Sequence, residues 1–272
     1  MVELIKEEIF TTVKKKRFII LTALLFIGVI ANTVMVKTDH WNDLTYAFEM
    51  EEYIRFIFAP LMGAILLLAV HRKEYTRQSI LQVESHGKKR CEGVFARVKA
   101  GCIILFCSYV ILALLVLLLG LIFGAGMSAQ VTGQLMLRIL TDCLAAIATY
   151  IFALFFQYLF AFPVFPMIWY AFFMFAGSMV FSQIPETIAF KIASSIIPKQ
   201  TMEAFYTGLV LSSFRWDLLG LLVLQILVPF LLTLLVFKLK KLKEKKPRKK
   251  KAKTETSEDE ETAAVTAANV VV

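Results

Sequence analysis

In a chain this apolar, chemistry would have to come from the few ionisable residues, and these fall into three groups. The first is Glu51, Glu52 and Arg55 in "EMEEYIRF", residues 49 to 56. A Glu-Glu pair separated from an Arg by three residues, with histidines in later helices, would suit peptide hydrolysis inside a membrane. Here only two residues intervene, and no histidine falls in an apolar run. On a helix Glu51 and Arg55 are i and i+4, so an ion pair is expected. The second group is Arg138 and Asp142, again i and i+4, at the edge of an apolar run. Charges in membrane spans are functional candidates by default, but self-pairing near an interface predicts a structural ion pair. The third is "HRKEYTRQSILQVESHGKKR", residues 71 to 90, a charged segment between two apolar walls.

Known reaction motifs are missing. There is no Gly-x-x-x-x-Gly-Lys-Ser/Thr phosphate loop, no GxGxxG, no HExxH and no GxSxG. His40, His71 and His86 all fall in loops, and Cys91, Cys102, Cys107 and Cys143 have no metal-ligand spacing. The chain therefore reads as no enzyme, with no catalytic residue, metal or bound cofactor of its own.

The elements that position these groups follow from composition. Of 272 residues 58% are hydrophobic, and the mean hydropathy is +0.71. That is a membrane protein's composition. The net charge of +9 is concentrated beside apolar runs, which fits membrane orientation and not a nucleic-acid groove. A bilayer core of about 30 Å needs roughly 20 helical residues. Six runs qualify, about 18–36, 54–70, 100–124, 139–160, 163–182 and 218–237. The first has no small-residue cleavage site and reads as a retained span. Pro60 and Pro229 fall inside runs, where proline kinks a helix.

Lys and Arg then orient the set, because cytoplasmic loops carry the excess. Residues 1–17, 71–99 and the tail from 238 hold 24 of the 30, and only six fall toward the other side. Both termini are predicted to be cytoplasmic, with 71–99 as the one large internal loop. The expected fold is an all-α polytopic membrane protein with six transmembrane helices. Residues 18–238 form its spanning domain.

The flanks have patterns of their own. In residues 1–17, Val2, Ile5, Ile9 and Val13 share a stripe ahead of Lys14–Arg17, which predicts an interfacial amphipathic helix. Between spans five and six, Ile184, Ile188, Ile192 and Ile196 recur every four residues before Pro198, and "MEAFYTGLVLSSF" follows. Two short outer helices are expected there, either partly sunk in the outer leaflet or re-entering it, or forming an extracellular amphipathic hairpin. Residues 239–272 pass from basic to acidic and read as a disordered tail.

Within the charged loop, Thr76, Ile80 and Val83 line one side of a short helix, and Gly87 breaks it. Cys91, Val94, Phe95, Val98 and Cys102 then lead into span three as a stripe at three- and four-residue spacing. A loop that only fixed topology would need just a few Lys or Arg. This one is large enough to offer a shaped, charged surface to a soluble partner.

Together, an interfacial helix ending in "KKKRF", six spans with both ends inside, and one cytoplasmic helix between spans two and three resemble a known family. It is the permease subunits of ABC transporters, in their type 2 exporter class. Glu74, Ile80, Leu81, the "KKR" of 88–90, Arg97 and Lys99 can be laid on that family's loop after span two. The family's Gly-Thr after the Glu is replaced here by Arg77-Gln78, and its Pro before the basic turn is absent. The likeness covers about residues 1–240 and rests more on architecture than on motif. It implies that two permeases, identical or paralogous, sit in the lipid bilayer on separate ATPase subunits, which hold the ATP and Mg. It also implies that Glu74, Arg77, Glu84, Lys88, Lys89 and Arg90 form a coupling helix that docks on the ATPase. A bacterial plasma membrane is expected on the same ground. The competing expectation is a non-transporting scaffold or assembly factor that binds a soluble partner through 71–99. A secondary carrier is disfavoured by the lack of deep ionisable groups and of inverted repeats.

Overall fold

Residues 2–39, 43–70, 90–123, 128–160, 164–182, 196–211 and 214–239 are described by the computed structural model, and every regular element among them is helical. The chain starts with α1 (Val2–Val13), makes a tight turn at Lys14 and Lys15, and enters α2 (Lys16–Asp39). It returns through α3 (Asp43–Tyr53), a π-turn (Ile54–Phe58) and α4 (Ala59–Val70), which follow one another without a break. Then come α5 (Arg90–Ile122), α6 (Ala129–Phe160), α7 (Val164–Ser182), α8 (Pro198–Val210) and α9 (Trp216–Leu239).

Among the described residues, five helices are long and apolar enough to cross a membrane: Lys16–Val36, Leu44–Val70, Glu92–Ile122, Ala129–Leu159 and Trp216–Val236. The protein is thus an all-helical membrane protein. In α7 the described apolar stretch, Val164–Phe175, is shorter than these five. The second run differs from the expected 54–70. Hydropathy alone started it just before Arg55 and after Glu51 and Glu52, whereas the helix continues back through Glu51 to Leu44, with Glu51 paired to Arg138 and Arg55 to Glu203. The fourth run likewise begins at Ala129, where Ser128 caps the helix by accepting the Val131 N–H at 3.3 Å.

Proline and glycine explain the local departures. At the π-turn the Ala59 N–H donates to the Ile54 carbonyl, five residues back. The next residue is Pro60, which has no N–H and whose ring clashes with the carbonyl of a normal preceding turn. The extra residue rotates the preceding segment by about 100° against α4. At the other proline-led start, Pro198 occupies the first position of α8, where a missing N–H costs nothing.

Helix α6 is the hub and packs against α3, α4, α5, α7, α8 and α9. Its packed faces are small, with Ala145, Ala146, Ala148, Thr149 and Ala153 all fully buried. In lipid there is little hydrophobic drive between helices, so small residues that admit close approach do the work. Glycine does the same at two tyrosines. A Cβ on Gly63 would fall 1.9 Å from Tyr170 Cζ, and one on Gly101 would fall 2.1 Å from Tyr150 Oη. Tyr170 also donates to the Ala59 carbonyl at 3.1 Å, which ties α7 to the start of α4. Helix α2 keeps most of its described apolar side chains exposed and α9 about half, as lipid-facing helices do.

Candidate functional site

The expected docking surface lies mostly outside the described residues. Glu74, Arg77, Glu84, Lys88 and Lys89 do so entirely, and Arg90 is described only as the backbone start of α5. The expected helix at 76–83, the isoleucine repeat at 184–192 and the tail from 240 also lie outside them. The frame that holds the loop is described. Its two ends are Val70, where α4 stops, and Arg90, where α5 starts.

Helix α1 and the turn that follows it are fastened to the two ends of that frame. Glu8 Oε1 stands 3.4 Å from Arg97 Nε on α5. The Lys15 ammonium donates to the Ala69 carbonyl in the last turn of α4. The first turns of α5 are fixed from the other side too. Val94, Ala96 and Val98 are buried, and Phe95 meets Phe230 of α9 edge-on at 4.9 Å. The expected stripe of α1 meets two surroundings. Ile9 packs toward the core and Thr12 is buried, while Val2, Phe10 and Val13 are exposed. Lys14 Nζ sits 3.9 Å over the Phe10 ring. An interfacial helix has both protein and lipid as apolar neighbours, so its hydrophobic residues need not share one face.

A second constellation joins α3, the π-turn, α6 and α8. Lys199 Nζ lies 2.6 Å from Asp142 Oδ1, and both side chains are buried. Arg138 Nε lies 3.2 Å from Glu51 Oε1 and 3.7 Å from Asp142 Oδ2, and its Nη2 lies 3.7 Å from Glu203 Oε1. Arg55 Nη2 meets the same Glu203 oxygen at 2.9 Å. The Arg138 guanidinium also covers the Tyr206 ring at 4.9 Å. Burial, with the Glu51 charge adding to it, pushes the Tyr206 phenol above its ordinary range, and Arg138 opposes this. Beside the cluster, Gln225 Nε2 of α9 donates to Thr201 Oγ1 at 2.8 Å.

Arg138 and Asp142 therefore belong to a six-charge network, and their mutual contact is among its looser ones. Glu51 and Arg55 pair not with each other but with Arg138 and Glu203. Three cations face three anions, so the bundle holds them with no net charge, which lowers an otherwise large burial cost. Several contacts are slack. Arg55 Nε, Arg138 Nε, Asp142 Oδ2 and Glu203 Oε1 are buried without a well-formed hydrogen bond. Sequence reasoning missed Lys199 and Glu203, which stand 57 and 61 residues beyond Asp142 in a segment that reads as an outer loop. The one available signal was Pro198 immediately before Lys199, a helix-start proline within a run of amphipathic spacing.

No known protein family, curated protein or solved structure matches this chain.

Proposed function

We propose that the chain is the membrane-spanning permease subunit of an ATP-driven exporter of the type 2 ABC class. Two such subunits, identical or paralogous, would work over two separate ATPase subunits. The observation that carries this proposal is the attachment of α1 and the turn after it to the two ends of the frame around the charged loop, α1 through Glu8–Arg97 and the turn through Lys15–Ala69. A loop that only fixed topology needs no such bracing. A loop that receives a push needs a rigid base.

In this reading α7 is a sixth span and both termini are cytoplasmic, since 24 of 30 Lys and Arg then fall inside. The segment holding Glu74, Arg77, Glu84 and Lys88–Arg90 is the coupling helix, and its charges dock on the ATPase. Closure of the ATPases on ATP pushes that helix. The stem of α5 carries the displacement into the membrane, and α1 moves with it as one body. ATP and Mg stay on the partner, and this chain supplies the path. A bacterial plasma membrane fits the family resemblance. The aromatic ladder of α6 and α7, in which Phe156 meets Trp169 at 5.0 Å, suits an amphipathic cargo, as it also suits lipid.

A photo-reactive residue at position 77 or 88 in native membranes tests the docking. Crosslinking to a soluble protein with a phosphate-binding loop is expected. Crosslinking only to proteins without one would replace the permease with a membrane scaffold.

A further inference from the structure

The six-charge network divides in a particular way. Helix α8 contributes one cation and one anion, Lys199 and Glu203. The spans contribute Arg55, Arg138, Glu51 and Asp142, two of each sign. Separating α8 from the spans therefore leaves neither part with a net charge. Arg138 stands within 3.7 Å of Glu51, Asp142 and Glu203, so it keeps two carboxylates when the third departs. Asp142 in turn keeps Arg138 when Lys199 leaves. An ordinary buried pair lacks this property, because losing one partner strands the other in low dielectric.

We propose that α8 is the movable part of an outer gate, latched to the spans through Lys199–Asp142 and Glu203–Arg55, with Arg138 as the pivot that holds Glu51 and Asp142 when the latch opens and the partly exposed Arg55 passing to water. The proposal rests on the orientation given above, which puts α8 on the outer side. The elements that face the latch agree with a detachable contact. Helix α8 packs on α6, α7 and α9; Met202 and Phe205 join the apolar core and Leu209 packs partly buried against it, a short apolar contact for a helix of this length. Polar groups do the remaining holding, including Thr201 with Gln225. Polar contacts can be exchanged for water as α8 moves outward, whereas a fully apolar contact would resist wetting. The charges are then a two-position device with a low barrier to separation.

The test uses the full chain in sealed membrane vesicles, with its four cysteines replaced by alanine and Met202→Cys as reporter. Met202 is buried on α8, so a membrane-impermeant maleimide reaches it only when the gate opens. Slow labelling is expected with the native latch. The double variant Lys199→Gln, Glu203→Gln keeps the spans charge-balanced and is expected to label about tenfold faster. Lys199→Glu with Glu203→Lys sets like charges face to face and is expected to label faster still. A cysteine at exposed Val210 must label equally in all variants, which separates opening from misfolding. Equal Met202→Cys rates in all three latches would overturn the proposal. The readout needs no ATPase, so it stands apart from the permease reading. Faster labelling only from the side that bears the termini would keep the latch and contradict the orientation.

Discussion

Lys199 and Asp142, 57 residues apart in the chain, meet at 2.6 Å in a bundle that hides both from solvent. This contact ties α8 to the hub helix α6. Truncating one member leaves the other's charge poorly paired, whereas removing both leaves a smaller defect. Asp142→Leu, which leaves buried Lys199 without its carboxylate, is expected to destabilise by about 3–5 kcal/mol, and Lys199→Met, which leaves Asp142 to Arg138, by about 1.5–3 kcal/mol. The pair together is expected to lose clearly less than the sum. Thermal unfolding in one detergent, run as a double-mutant cycle, measures the difference. Strict additivity would mean that the two groups do not interact.

The glycine–tyrosine contacts give a prediction with an internal control. A Cβ on Gly28 would meet Tyr53 Oη at 2.2 Å but Cζ only at 3.2 Å, so the hydroxyl is the main obstacle. On Gly63 the ring carbon itself lies at 1.9 Å. Each Gly→Ala change is expected to cost about 1–3 kcal/mol. Tyr53→Phe should recover much of the Gly28→Ala loss, less its own hydrogen bond to the Leu25 carbonyl. Tyr170→Phe should recover little of the Gly63→Ala loss. Equal rescue at both sites would show that the clash is not what limits packing.

Glu8 and Arg97 are partly exposed, so their pairing adds little to global stability, about 1 kcal/mol or less. Its effect should be local. In Glu8→Ala, amide exchange in α1 is expected to speed up while exchange in α6 stays unchanged. The charge swap Glu8→Arg with Arg97→Glu should restore protection. Unchanged exchange in Glu8→Ala would mean that the apolar contacts of Ile9 hold α1 unaided.

Much of the scaffold was legible in the sequence because apolar runs of spanning length leave few alternatives in lipid. Pro198 and the amphipathic residues after it also marked a helix where hydropathy showed only a connection. Partners across the bundle were not legible. Arg138 showed its i+4 neighbour, Asp142, but a single sequence does not reveal that Lys199 and Glu203 return to the same place. Glu51 and Arg55 misled in the opposite direction. Their spacing suggested an ion pair with each other and their charge suggested a helix end, yet the helix runs through both. Along the apolar stripe of α1, spacing did not say which residues meet protein, as Ile9 does, and which stay exposed, as Val2 and Val13 do.

The central claim, a permease driven by a separate ATPase through the charged loop, is tested most directly by purifying the tagged chain from its native membrane in mild detergent and measuring ATP turnover of what remains bound. The expected result is a co-purifying protein with a phosphate-binding loop whose turnover is lost from the preparation when Glu74, Arg77, Glu84 and Lys88–Arg90 are replaced by alanine. Recovery of the intact chain without any ATPase, under conditions that preserve a known ABC exporter complex, would contradict it.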